Sequence, residues 1–180
     1  YLMKNDGRSV RMFAKYNLYV GGVNDPNYNY TSYDDEATGI QNSSMLGWVS
    51  DDSNRYGIVQ FSKSLYWTSD VYPVYVFNSN SLLYEYVENY KLYLENFLSV
   101  DNVRLIRYEE LIDLGCSKEF KRCSDDDKKW IYATSYWTGT VHNAIYVWYV
   151  NSYGGFGESH HSYADIRGVR PVIKISKSEF

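Results

Sequence analysis

Along "NSLLYEYVENYKLYLENFL", residues 80–98, apolar side chains recur at steps of three and four. Leu83, Tyr86, Val87, Tyr90, Leu94 and Phe97 fall on one stripe, which predicts a helix over 80–98. Ser79, Asn80 or Ser81 can cap its first amides, and Glu85 complements its positive end. "RYEELIDLG" predicts a shorter helix over 107–114, with an acidic pair in its first turn and Gly115 placed to stop it. Elsewhere the pattern is one of short β-rich runs. Residues 9–20 alternate in part, and 56–62, 72–77, 130–137, 145–150 and 169–176 read as strands. Residues 21–39, full of Gly, Asn, Asp and Pro, read as a loop, and "SDDDKK" as a solvated one. The helices are grouped in the middle and do not alternate with strands. That order argues for α+β over a doubly wound sheet.

One stretch fits neither period. "VNSYGGFGESHHSYADIRG", residues 150–168, has no alternation and no helical repeat, yet it is too aromatic for a linker. From Tyr132 to Gly168 the charged residues are Glu158, Asp165 and Arg167, whereas the whole chain is 22% charged. All three histidines, His142, His160 and His161, lie there. Tyr gives large contact area at low entropy cost, and Ser, Gly and Asn add adaptable hydrogen bonding, so this composition suits a binding surface. The chain is rich in the same chemistry throughout, with 21 Tyr in 180 residues. That length suits one domain with a sizeable core. A formal net charge of -4 argues against a nucleic-acid or anionic-membrane binder, which needs clustered Lys and Arg. No run approaches the roughly 18 apolar residues of a membrane helix. A chain that opens on Tyr1 and enters a strand pattern within ten residues fits a domain of a longer protein.

The two cysteines lie in "CSKEFKRC", at Cys116 and Cys123. Two sulfurs without a nearby His cannot close a four-ligand zinc site. A local disulfide is the favoured reading and two free thiols the alternative. A disulfide would imply an oxidising, extracytoplasmic address.

"NVRLIRYEELIDLGC" resembles the Arg-Leu-then-acidic-helix segment of C-type lectin-like domains of the formylglycine-generating-enzyme type. "GVRPVIKIS" resembles their closing strand, where a Gly-hydrophobic-Arg triplet recurs. The ordered block "WIYATSYWTG", "VWYVNSYGGFG" and "GVRPVI" is similar to the variable proteins of diversity-generating retroelements. These include phage tropism determinants and pilin-like or secreted surface proteins of gut bacteria and their viruses. In that family, adenine mutagenesis of a template repeat rewrites the C-terminal region, and Lys, Glu, Gln, Met and Trp lie outside its reach. Between Thr134 and Arg167 there is no Lys, Gln or Met, and only Glu158, Trp137 and Trp148 fall outside the accessible set. The resemblance implies that those three are fixed.

It also implies an α+β, C-type lectin-like fold: two helices, a small antiparallel sheet and a long irregular C-terminal display region. One domain would span 1–180, with 1–131 as scaffold, 132–168 as the variable ligand-binding region and 169–180 as the closing strand. Contact positions would be drawn from Tyr136, Thr138, Thr140, His142, Asn143, Tyr146, Tyr149, Asn151, Tyr153, Ser159, His160, His161, Tyr163 and Asp165. Trp148, Phe156, Val169 and Val172 are expected in the core, and Trp137 fits either role.

Catalytic readings are weaker. "ESHHSYAD" holds a nucleophile, a base and an acid, but neighbours on one loop seldom reach triad geometry. Adjacent His160 and His161 diverge and have no third metal ligand in view. "GGFG" lacks a βαβ setting and the spacing of a phosphate loop, and Asp125 to Asp127 lack the spaced oxygens of a calcium loop. The calcium–sugar triplets of true C-type lectins are absent, and no cysteine follows Cys123 to carry formylglycine-generating chemistry. The expectation is therefore a noncovalent module, not an enzyme, without cofactor or metal. It would bind a protein or cell-surface target at an extracellular or cell-surface location, with no nucleic acid and no membrane contact of its own. A structural pilus or surface subunit and a formylglycine-generating-type enzyme are the rivals. Self-association at a Tyr-rich face would favour the first, turnover the second. For the disulfide, unreduced mass spectrometry should show the peptide bearing both cysteines lighter by two hydrogens; two alkylated thiols would refute the pairing.

Overall fold

The computed structural model describes residues 1–18, 48–49, 61, 70–79, 81–123, 126–161 and 167–176. Strands β1 (Leu2–Asn5), β2 (Ser9–Phe13), β6 (Val100–Leu105) and β10 (Pro171–Ser176) form one antiparallel sheet in the order β1-β2-β10-β6. Strands β5 (Val74–Tyr75), β7 (Tyr136–Val141), β8 (Tyr146–Val150) and β9 (Phe156–His160) form a second, in chain order. β3 (Asn17–Leu18) and β4 (Trp48–Val49) make a minor pair. The helices are α1 (Leu82–Glu95) and α2 (Tyr108–Asp113). Ser81 caps α1, its side chain accepting from the Leu83 amide at 3.2 Å. Residues 126–128 form a single 3-10 turn.

The expected α+β fold, with two helices, a small sheet and an irregular C-terminal region, is corrected by this architecture. Two four-stranded antiparallel sheets dominate and the two helices are short. The part expected to be irregular contributes β9, paired residue for residue with β8 from Tyr146–His160 to Val150–Phe156. The second sheet is covered on both faces, and β9 did not show in the pattern because "FGESH" carries a single apolar side chain. Trp137, Val141, Val147 and Tyr149 pack with α1 residues Leu83, Tyr86, Val87 and Tyr90. Tyr136, Trp148, Val150 and Phe156 pack with Tyr108 and Leu111 of α2. All six residues of β7 are buried. Trp148, Phe156, Val169 and Val172 are in the core as expected, and Trp137 joins them. The predicted strand over 56–62 and loop over 21–39 lie outside the described residues, Phe61 apart.

Arg170 joins the layers. Its guanidinium is fully buried and donates to the carbonyls of Ala14 at 2.7 Å, Ile131 at 2.8 Å and Trp130 at 2.5 Å. It lies 4.0 Å over the Phe13 ring and 5.2 Å from that of Tyr136. Three chain segments are thus fastened by one planar fork. Nearby, Cys116 and Cys123 are disulfide-bonded. Gly154 closes against that loop: the Cys123 amide donates to its carbonyl at 2.7 Å, its φ is +86°, and a Cβ there would lie 2.7 Å from the Cys123 carbonyl oxygen. The Arg170→Met variant would take this donor from the Ala14 and Trp130 carbonyls and leave Ile131 with the Tyr136 hydroxyl alone, and it is expected to lose about 3 kcal/mol or more in urea unfolding. A loss below about 1 kcal/mol, within the range of an ordinary substitution, would deny Arg170 that role.

Candidate ligand-binding surface

The turn between β7 and β8 is built by Asn143. Its Oδ1 accepts from the amides of Ile145 and Tyr146, each at 3.0 Å, the local bonding that suits Asn to turns. The His142 amide donates to the Tyr146 carbonyl at 2.7 Å and closes the hairpin. Across the ladder Tyr146 pairs with His160, their rings meeting edge to face at 6.1 Å. His142, Asn143, Tyr146 and His160 therefore gather, half-exposed, at one end of the sheet. The His142 imidazole meets the Trp148 ring edge to face at 5.0 Å.

The other candidates divide. Asn151 and Tyr153 sit at the opposite end of the β8–β9 hairpin, where Asn151 Oδ1 accepts from the amides of Tyr153 and Gly155. Tyr153 is 85% exposed. Tyr149 lies under Arg167, whose guanidinium is 3.8 Å from the ring centre, and packs edge to face on Trp137. Tyr136, Thr138 and Thr140 are fully buried and hold structure. The Tyr136 hydroxyl donates to the Ile131 carbonyl at 2.8 Å, and burial pushes the phenol's pKa up. The Thr138 hydroxyl donates to the Trp148 carbonyl at 2.8 Å where the β7–β8 register shifts. Thr140 Oγ1 accepts from the Tyr108 amide at 3.0 Å, satisfying an otherwise orphaned donor at the start of α2. Ser159 and His161, at 8% and 4% exposure, are buried as well, so the expectation that both stand on the surface is corrected. Tyr163 and Asp165 lie outside the described residues.

Beside His142 a cleft of about 510 Å³ opens between α2 and the β7–β8 hairpin. Its walls include Tyr72, Pro73, Tyr108, Ile112 and Trp148, with Glu109, Asp113, Lys118 and His142 as its ionisable members. Tyr108 stacks on Trp148 at 4.6 Å. Burial, followed by the negative charges of Glu109 and Glu158, raises the Tyr108 phenol above its ordinary pKa. α2 is held in place by Glu110, which accepts from Arg104 at 2.6 and 2.8 Å, from Arg11 at 3.2 Å and from the Arg107 amide at 3.0 Å. Sequence reading treated α2 as scaffold and missed this cleft. The available signal was Asp113, an acid in a last turn that has no basic residue.

Among the described residues no group of three or more His, Cys, Asp or Glu side chains could hold a metal ion. No described helix is long and apolar enough to cross a membrane. No protein-family model matches the chain, and the comparison with curated proteins and solved structures found no match either. The geometry separates core from surface in a measurable way. Trp148→Ala is expected to cost about 3–5 kcal/mol in chemical denaturation, and His160→Ala to stay within about 0.5 kcal/mol. Equal losses would abolish the distinction.

Proposed function

We propose that the chain is a noncovalent recognition module whose C-terminal region, diversified by retroelement mutagenesis, binds varied protein or cell-surface targets. The observation that carries this reading is the group His142, Tyr146 and His160, presented at the end of a sheet packed on both faces. Such a platform separates what must stay from what can change, because side chains at its rim can vary without repacking either core.

The three residues outside the reach of adenine mutagenesis support the same division. Trp137 and Trp148 are buried on opposite faces of the sheet. Glu158 is ion-paired to Lys121 at 3.2 Å, and that lysine also lies 5.3 Å from the Trp148 ring centre. Each of the three holds structure. The buried threonines narrow the reading: recognition belongs to the β7–β8 turn and the end of β9, not to the whole of residues 132–168. The disulfide is compatible with an extracellular or cell-surface location.

A library randomised at His142, Tyr146 and His160 tests the proposal. Most members should fold, and selection on different proteins or cell surfaces should return different sequences at these positions. General failure to fold, or folded members that never discriminate among targets, would contradict it.

A further inference from the structure

The cleft between α2 and the β7–β8 hairpin combines an aromatic wall with two exposed carboxylates. Glu109 and Asp113 stand one turn apart on α2, where like charges repel. Asp113 also sits at the helix end that favours a cation. Both line the cleft, and among the described residues neither carboxylate makes an ion pair or hydrogen bond. Lys118 shares the wall and pairs with neither. Trp148, only 6% exposed, lines the same cleft, and its indole N–H has no acceptor. A buried donor left unmade is costly, and such groups need an explanation.

We propose that this cleft seats a basic side chain, arginine or lysine, of a polypeptide partner. The cation lies between the Glu109 and Asp113 carboxylates and against the aromatic wall, where cation–π attraction adds to the ion pairing. Lys121 over Trp148 is an internal instance of a cation held on this indole. Tyr72, Pro73 and Ile112 receive an apolar neighbour of the basic residue. A volume of about 510 Å³ falls within the range of sites that enclose a ligand. The choice of a polypeptide rests on the recognition reading above; the charge and aromatic chemistry of the cleft does not.

The test is an NMR titration of the protein with the peptide acetyl-Gly-Arg-Phe-Gly-amide and with the same peptide carrying citrulline, the neutral isostere of arginine. The arginine peptide should saturate and shift the Trp148 indole N–H, and the citrulline peptide should bind about fivefold or more weakly. The double variant Glu109→Gln, Asp113→Asn should erase that preference while its thermal unfolding stays unchanged. Equal binding of the two peptides, no binding of either, or a Trp148 signal that does not move would overturn the proposal. If free arginine or glucosamine matches the peptide, the assignment to a polypeptide falls. A Tyr146→Ala, His160→Ala variant separates the two readings. It should keep the peptide preference even if target recognition at the hairpin end proves wrong.

Discussion

A single buried cation holds the layers of this molecule in register. Arg170 enters a site closed by the rings of Phe13 and Tyr136 and directs its donors to the carbonyls of Ala14, Ile131 and Trp130. Removing a guanidinium from water is expensive, so the site persists only because rings and carbonyls replace its hydration. The consequence is positional. The end of β2, the turn before β7 and the start of β10 are fixed together, and the second sheet begins from a defined point. The Gly-hydrophobic-Arg triplet of the sequence therefore has a physical basis. Gly168 carries ladder bonds to Ser135 and Trp137, Val169 fills one core, and Arg170 crosses to the other.

From that point the hairpin of β7 and β8 runs between two cores. Its apolar side chains divide by alternation, Val147 and Tyr149 toward α1, Trp148 and Val150 toward α2. A strand buried on both faces has little freedom, which suits a platform for recognition because less entropy is lost on binding. The half-exposed tyrosine and histidines then stand on that backbone, with Asn143 fixing the turn through its own side chain. The cleft under α2 adjoins that group through His142. Two kinds of contact are thus available on neighbouring surfaces, one aromatic, the other acidic.

Much of this was legible in the sequence, and the failures have physical causes. The helical stripe from Leu83 to Leu94 was read correctly because a one-sided helix obeys a 3.6-residue period. Phe97, predicted on that stripe, lies beyond the helix end and is exposed. α2, β8 and β10 fall within the predicted runs. β9 did not show, because its five residues hold one apolar side chain, Phe156, too few to mark a strand. Thr138 and Thr140, expected among the contact positions, are buried: one bridges a register shift and the other caps a helix start. Such roles depend on partners more than 30 positions away for Thr140, which composition cannot reveal. The cleft was hidden for the same reason, since its walls come from residues 72–73, 108–118, 142 and 148.

The central claim is that a stiff, doubly covered hairpin carries a tolerant rim. Native-state hydrogen exchange measures this most directly. The amides of Trp137, Gly139 and Phe156, which donate to the carbonyls of Gly168, Ile106 and Lys121, should exchange only through global unfolding. Those of Ile145 and Tyr146, held by the Asn143 side chain, should open locally at lower free energy. Uniform fast exchange through β7 and β8 would contradict the account, because no fixed platform would then exist.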